Sequence, residues 1–178
     1  ISMDDDKTND PTKLSMIMDQ RFSFVRLGYS YRATEMEAAL GLAQLEEVQL
    51  AIDKRRENAF FLTQNLKQWE RFLQLPHSMP KAEHSFMMYP IVIKNTTIKR
   101  HDLTFFLEKN NIETRYMLPL VNQPYNKDMF GDDLEERYPV AKYINQNGFY
   151  IGCHPDLTEG ELQYIIEKFK EFFSFVED

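Results

Sequence analysis

Three short stretches of this chain hold residues whose types and spacing could do chemistry. The first is Gly28-Tyr29-Ser30-Tyr31-Arg32, immediately ahead of a helix start. Glycine lets the backbone come close to a ligand. A serine hydroxyl and a guanidinium fork beside a helix N-terminus suit a phosphate group. The same residues also make an ordinary loop at the start of a helix, closed by an arginine ion pair. The second is Arg115, on a short strand that runs into a proline-containing loop. It can hold an anionic group, or pair with Glu113 or Glu135 at the surface. The third is His154, which ends a strand before Pro155 and either lines a cleft or caps the turn.

Other chemistries find less support. The six glycines, at 28, 41, 131, 148, 152 and 160, are scattered and form neither a P-loop nor a dinucleotide fingerprint. The four histidines, at 77, 84, 101 and 154, have no companions at metal-ligand spacing, so no metal site is expected. Cys153 and His154 are chain neighbours on a strand, so their side chains diverge and do not form a nucleophile–base pair.

The elements that must position these residues are legible from caps and periodicity. Thr34-Glu35-Met36-Glu37 fits a capping box. Ala38, Ala39, Leu40, Leu42, Ala43, Leu45, Val48 and Ile52 follow at helical spacing, predicting a helix to about Trp69. A helix of that length crosses between modules or packs on a partner chain. Ser85 to Ile93 reads as a buried strand that Pro90 pushes toward an edge or a bulge. Thr97 to Lys109 reads as a helix with Leu103, Phe106 and Leu107 inward. Ile112 to Tyr116 and Phe149 to Gly152 read as strands, 117–137 as a long loop, and Tyr138 to Asn147 as a short helix. A second capping box, Thr158 to Glu161, opens a last helix whose stripe is Leu162, Ile165, Ile166, Phe169, Phe172, Phe173 and Val176. The expected fold is α/β, in detail a small α+β domain with a sheet of three or four strands flanked by helices.

Composition sets the outer limits. With 43% hydrophobic residues, 14 Phe and 9 Tyr, the chain can build a core. A net charge of −7 and no basic run argue against nucleic acid or an anionic membrane as partner. A lone cysteine gives no internal disulfide, and no apolar run approaches the ~20 residues of a membrane span. The polar start Ile1-Ser2-Met3-Asp4 has no signal or transit pattern, so the cytoplasm is the expected compartment. The chain does not begin with Met, and this end reads as a cut.

Four segments, in order, resemble the DegT/StrS sugar aminotransferases. Gly28 to Leu45 (GYSYRATEMEAALGLAQL) is similar to the family's G-Y-N-x-R-M-T-E-M-Q-A-A-x-G-x-x-Q-L. Asn111-Ile112-Glu113-Thr114-Arg115 resembles G-I-E-T-R, Gln123-Pro124-Tyr125 the following Q-P-Y, and His154 to Glu159 the closing H-P-x-L-T-E. The resemblance implies the C-terminal portion of a fold-type-I pyridoxal 5'-phosphate enzyme. Such an enzyme forms homodimers and moves an amino group from glutamate to a keto-sugar carried on a nucleotide. It implies an arm and cofactor-proximal loop at 1–33, an interdomain and dimer helix at 34–70, and a small domain at 71–178. The family's catalytic lysine lies near a Gly-Glu-Gly-Gly segment; this chain has no such segment and none of its lysines sits in that context. The resemblance therefore implies that the large cofactor-binding domain is absent, that no catalytic residue is in this chain, and that the chain alone is inactive. Ser30 stands where the family has the Asn that reaches the cofactor phosphate across the dimer interface. Tyr31, Arg32, Arg115 and His154 fall at substrate-cleft positions. A sibling dehydratase, with histidine in place of the lysine, and a non-catalytic dimerisation module are the alternatives. Without the large domain, parts of 1–33 and 117–137 are expected to be mobile.

Overall fold

The structure, a computed structural model, describes residues 31–94, 97–117, 121 and 123–177. The chain divides into two units, Ile1–Leu42 and Ala43–Asp178. In the first, the described residues lead from Tyr31 into helix α1 (Glu35–Leu66). The capping box forms as expected: Glu37 N donates to Thr34 Oγ1 at 3.2 Å, and Thr34 N donates to Glu37 Oε2 at 2.7 Å. The arm at 1–30, with the expectations attached to it, lies outside the described residues.

Helix α1 changes character along its length. From Glu35 to Leu50 every residue is exposed, including Leu40, Leu42, Leu45 and Leu50. Its last turns bury Asn58, Ala59, Leu62 and Leu66 on one face, and a 3₁₀ turn carries the chain on to a buried Trp69.

Four strands follow: β1 (Leu73–Gln74), β2 (Met88–Ile93), β3 (Thr114–Tyr116) and β4 (Gly148–Gly152). They form one antiparallel sheet in the order β1-β2-β4-β3. Tyr89, Ile91 and Ile93 alternate into the core, and the register sets Ile151 opposite Tyr89 and Phe149 opposite Ile91. This period of two makes one sheet face apolar. The β2–β4 register runs through Pro90 without a bulge, and β1 reaches only Val92 and Ile93. Among the described residues the strand is therefore flanked at Pro90 by β4 alone, so proline's missing donor is tolerated there.

The apolar face is closed by the end of α1, by α2 (Arg100–Lys109) through Leu103 and Leu107, and by the last helix, α5 (Glu159–Glu177). The stripe of α5 buries Leu162, Ile165, Ile166, Phe169, Phe172 and Phe173, as its periodicity predicts. Trp69 stacks on Phe173 at 4.9 Å, and Phe72 lies 5.3 Å from the same ring. Each such aromatic is worth roughly 1.5–3 kcal/mol of apolar burial. Among the described residues no helix is long and apolar enough to cross a membrane.

Three expectations need correction. The stretch 117–137 is not one loop: it contains α3 (Pro124–Phe130) and a 3₁₀ turn (Leu134–Arg137). Pro124 opens the short helix, where its missing N–H costs nothing, and Gly131, at φ 99°, ends it. The strand at Ser85 begins only at Met88, because Phe86 has a positive φ of 47°. Helix α2 begins at Arg100 rather than Thr97. Helix α4 (Pro139–Asn147) matches the short helix read from the sequence.

Candidate functional site

Within the second unit, α1 ties together the two ends of the sheet nearest His154. Arg55 Nη1 donates to the carbonyls of Met87 (2.9 Å), Phe86 (3.3 Å) and Cys153 (3.5 Å). One turn further on, Asn58 Nδ2 donates to the carbonyl of His154 at 2.7 Å. Residues three apart share a helix face, so both side chains reach the same point. Cys153 Sγ returns a bond to the carbonyl of Arg55 at 3.3 Å. The start of β2 and the end of β4 are thus held by side chains of one helix.

His154 itself is exposed. Its Nδ1 accepts from Asp156 N at 3.2 Å and lies 3.4 Å from Asp156 Oδ2. A ring nitrogen that accepts an N–H leaves the proton on the other nitrogen, so the neutral ring presents an Nε2–H donor. The ring lines an open groove of about 570 Å³ together with Gln44, Glu47, Lys54, Arg55 and Asp156. Lys54 pairs with Glu57 at 2.7 Å. The groove offers hydrogen-bond donors and acceptors of both charges, and among the described residues no thiol or hydroxyl side chain lines it. Cys153 beside it is buried, and burial pushes its thiol up to about 11. The thiolate that a nucleophile requires is not formed near neutral pH.

The other sequence-chosen residues fall elsewhere. Arg115 lies on edge strand β3, opposite Tyr150 in the register, and pairs with Glu113 through Nη2. Glu135 is engaged instead by Asn145 Nδ2 at 2.9 Å. Tyr150 is four residues from His154, roughly 13 Å along an extended strand, so the structure does not bring Arg115 and His154 together. Tyr31, 93% exposed, and Arg32, also exposed, belong to the unit Ile1–Leu42. Ser30 lies outside the described residues.

Sequence reasoning missed Arg55 and Asn58. A signal existed: Asn58 is a polar residue inside the inward stripe Ala59, Leu62 and Leu66, and such a residue needs a partner when buried. Among the described residues the only buried polar or charged side chains are Asn58 and Thr104. Thr104 is satisfied within its own helix by the carbonyl of Arg100 at 3.0 Å.

Comparison with known proteins extends this picture. The profile of the DegT/DnrJ/EryC1/StrS aminotransferase family matches residues 6–170. Over 158 residues the chain is 36% identical to the lipopolysaccharide biosynthesis protein RfbH of Salmonella typhimurium, across 87% of this chain and 36% of RfbH. It is 29% identical to GDP-perosamine synthase of Escherichia coli O157:H7, across 83% of this chain and 38% of the synthase. Among solved structures, GDP-4-keto-6-deoxymannose-3-dehydratase with a trapped PLP-glutamate geminal diamine is similar at a TM-score of 0.68 and 26% identity. That likeness covers 88% of this chain and 42% of the dehydratase. The chain thus spans well under half the length of the relatives it matches.

Proposed function

The chain belongs to the DegT/DnrJ/EryC1/StrS aminotransferase family, and from that premise we propose that it is the C-terminal portion of a pyridoxal-phosphate-dependent aminotransferase. The substrate is a nucleotide-linked keto-sugar, glutamate is the amino donor, and the product feeds polysaccharide or cell-surface sugar biosynthesis. The observation that carries this reading is the continuous family match over 6–170, which takes in all four motif segments.

The described residues do not fit the cofactor by themselves. They include no buried lysine and no buried carboxylate. A cofactor-holding amine and a partner for a pyridinium nitrogen both need shelter from water. In this reading those groups belong to the large domain of the complete protein, and the chain alone is inactive. When bound there, pyridoxal phosphate supplies the electron sink that lets an amino group move between two carbon atoms.

The chain's own residues have binding roles. Ser30 donates a hydrogen bond to the cofactor phosphate across a homodimer interface. Arg32 and Arg115 meet the substrate's diphosphate, Tyr31 packs beside it, and His154 offers its Nε2–H to the sugar. Arg115 is free to do so because its pair with Glu113 is an exposed one, 65% and 69% accessible on the two sides. Exposed pairs are worth at most about 1 kcal/mol, so a diphosphate displaces the carboxylate readily. The exposed leucines of α1 at 40, 42 and 45 supply the dimer contact.

The dehydratase likeness favours a second reading, in which the complete protein removes a sugar hydroxyl instead of installing nitrogen. Assay of the longer gene product with glutamate and a GDP-linked 4-keto-sugar separates them. Equimolar 2-oxoglutarate and amino-sugar mean transfer; loss of a hydroxyl with release of ammonia means dehydration. For this chain, incubation with pyridoxal phosphate, borohydride reduction and intact-mass measurement is decisive. We expect no stoichiometric adduct. A single adduct at one lysine would place a complete cofactor site here and overturn the proposed division.

A further inference from the structure

The second unit carries a groove of about 460 Å³ on the side where β2 leads toward α2, with α4 as its other wall. Its polar lining is Lys94, Lys99, Arg100, His101, Gln146 and Asn147, together with Tyr143. Among the described residues no carboxylate lines it, in a chain of net charge −7. Among the described residues, none of Lys94, Lys99, Arg100 and His101 forms an ion pair. The groove around His154, by contrast, holds Glu47 and Asp156.

Arg100 is the fixed member of the group. Its Nη1 donates to the carbonyls of Gly148, at 3.2 Å, and Asn145. Its guanidinium lies 3.7 Å over the ring of Tyr116. A guanidinium held this way loses little freedom when a ligand arrives. Lys94 and Lys99 stand on either side of the chain's approach to it, exposed and solvated. Like charges gathered without counter-charge repel one another, a cost that a bound anion removes. The lining is concave and small, which suits a compact anion.

We propose that this groove is a binding site for a phosphate or diphosphate group. Arg100 gives a rigid fork to the phosphoryl oxygens, Lys94 and Lys99 give point charges, and the Gln146 amide completes the shell. Asn147 contributes only through its remaining donor, since Nδ2 already donates to the Tyr143 carbonyl at 3.0 Å. The site makes no use of the aminotransferase reading and stands if that reading fails. Two sources share this chemistry: free inorganic phosphates, and the diphosphate of a nucleotide.

The test is a titration of this chain, followed by amide shifts in ¹H–¹⁵N spectra. The ligands are inorganic phosphate, pyrophosphate and GDP, at constant ionic strength made up with chloride. Saturable shifts are expected at 94, 97–103 and 143–148, with pyrophosphate tighter than phosphate. The double variant Lys94→Gln, Lys99→Gln should weaken pyrophosphate binding by about tenfold without lowering the thermal midpoint. Equal affinity for pyrophosphate and GDP assigns the site to free diphosphate. Tighter GDP binding, with added shifts outside these segments, assigns it to a nucleotide. Shifts that never saturate, or a double variant that binds as tightly as the parent, overturn the proposal.

Discussion

Asn58 spends one amide on one carbonyl, that of His154, in a place almost sealed from water. Asn58→Ala should leave that carbonyl without its donor, at a cost of about 1–3 kcal/mol, read from urea unfolding. Amide exchange at 153–157 should quicken more than exchange in α5, because the loop is released while the core is kept. A uniform rise in exchange would mean that the bond steadies the whole unit rather than the loop. At this scale the sequence is uneven as a guide. The Glu113–Arg115 pair could be anticipated, since residues two apart on a strand share a face. The three-carbonyl grip of Arg55 could not. It joins residues separated by 31, 32 and 98 positions, and nothing local marks those distant carbonyls as its partners.

Helix starts behave differently, because a capping box is a local device. Both boxes foreseen from the sequence are formed, and Thr158 N donates to Glu161 Oε2 at 2.8 Å. Hydrogen bonds from Thr158 hold the Glu161 carboxyl below its usual value of 4.5, as those from Thr34 do for Glu37. A carboxyl lowered in the folded state adds stability that is present above the unfolded value and lost as pH falls through the folded one. Helix content should therefore decline on acidification below about 4.5, and less so in Glu161→Gln; circular dichroism against pH checks this. The junction of α4 and β4 gives a sharper case. A Cβ on Gly148 would sit 2.6 Å from the carbonyl oxygen of Ile144, a backbone atom that cannot swing aside. Gly148→Ala should cost about 1–3 kcal/mol, read from the thermal midpoint. Elements escaped the sequence reading where they were too short to show a period. Strand β1 has two residues, and α3 spans two turns bracketed by the proline and glycine that suggested a loop.

Two buried protons bear on stability at alkaline pH. Thr63 Oγ1 donates to the Ala59 carbonyl at 2.8 Å, so the Tyr89 hydroxyl, 2.8 Å away, is the donor to Thr63. Burial pushes Tyr89 up to about 12 and Cys153 up to about 11, from ordinary values of 10.0 and 9.0. A group raised in the folded state contributes stability that is complete below its unfolded value and lost as pH climbs through its folded one. The thermal midpoint should hold to about pH 9 and then fall toward pH 12. Cys153→Ala should flatten the first part of that fall and Tyr89→Phe the second. An unchanged slope in both variants would place the alkaline weakness elsewhere. The apolar face of the sheet and the α5 stripe were legible because periods of 2 and 3.6 survive in the sequence. The exposed half of α1 was legible as a helix, and its length pointed to a contact outside this domain, but its apolar spacing alone did not tell the exposed turns from the buried ones.

Trp69 is the only tryptophan, 4% exposed, and its ring lies flat against Phe173 of α5. The molecule therefore carries its own optical gauge at the point where the turn after α1 meets α5. Indole emission should be blue-shifted while α5 is seated and move to the red when it lifts, whatever the far end of α1 is doing. A stopped-flow record of that one signal times the closing of the core without any label.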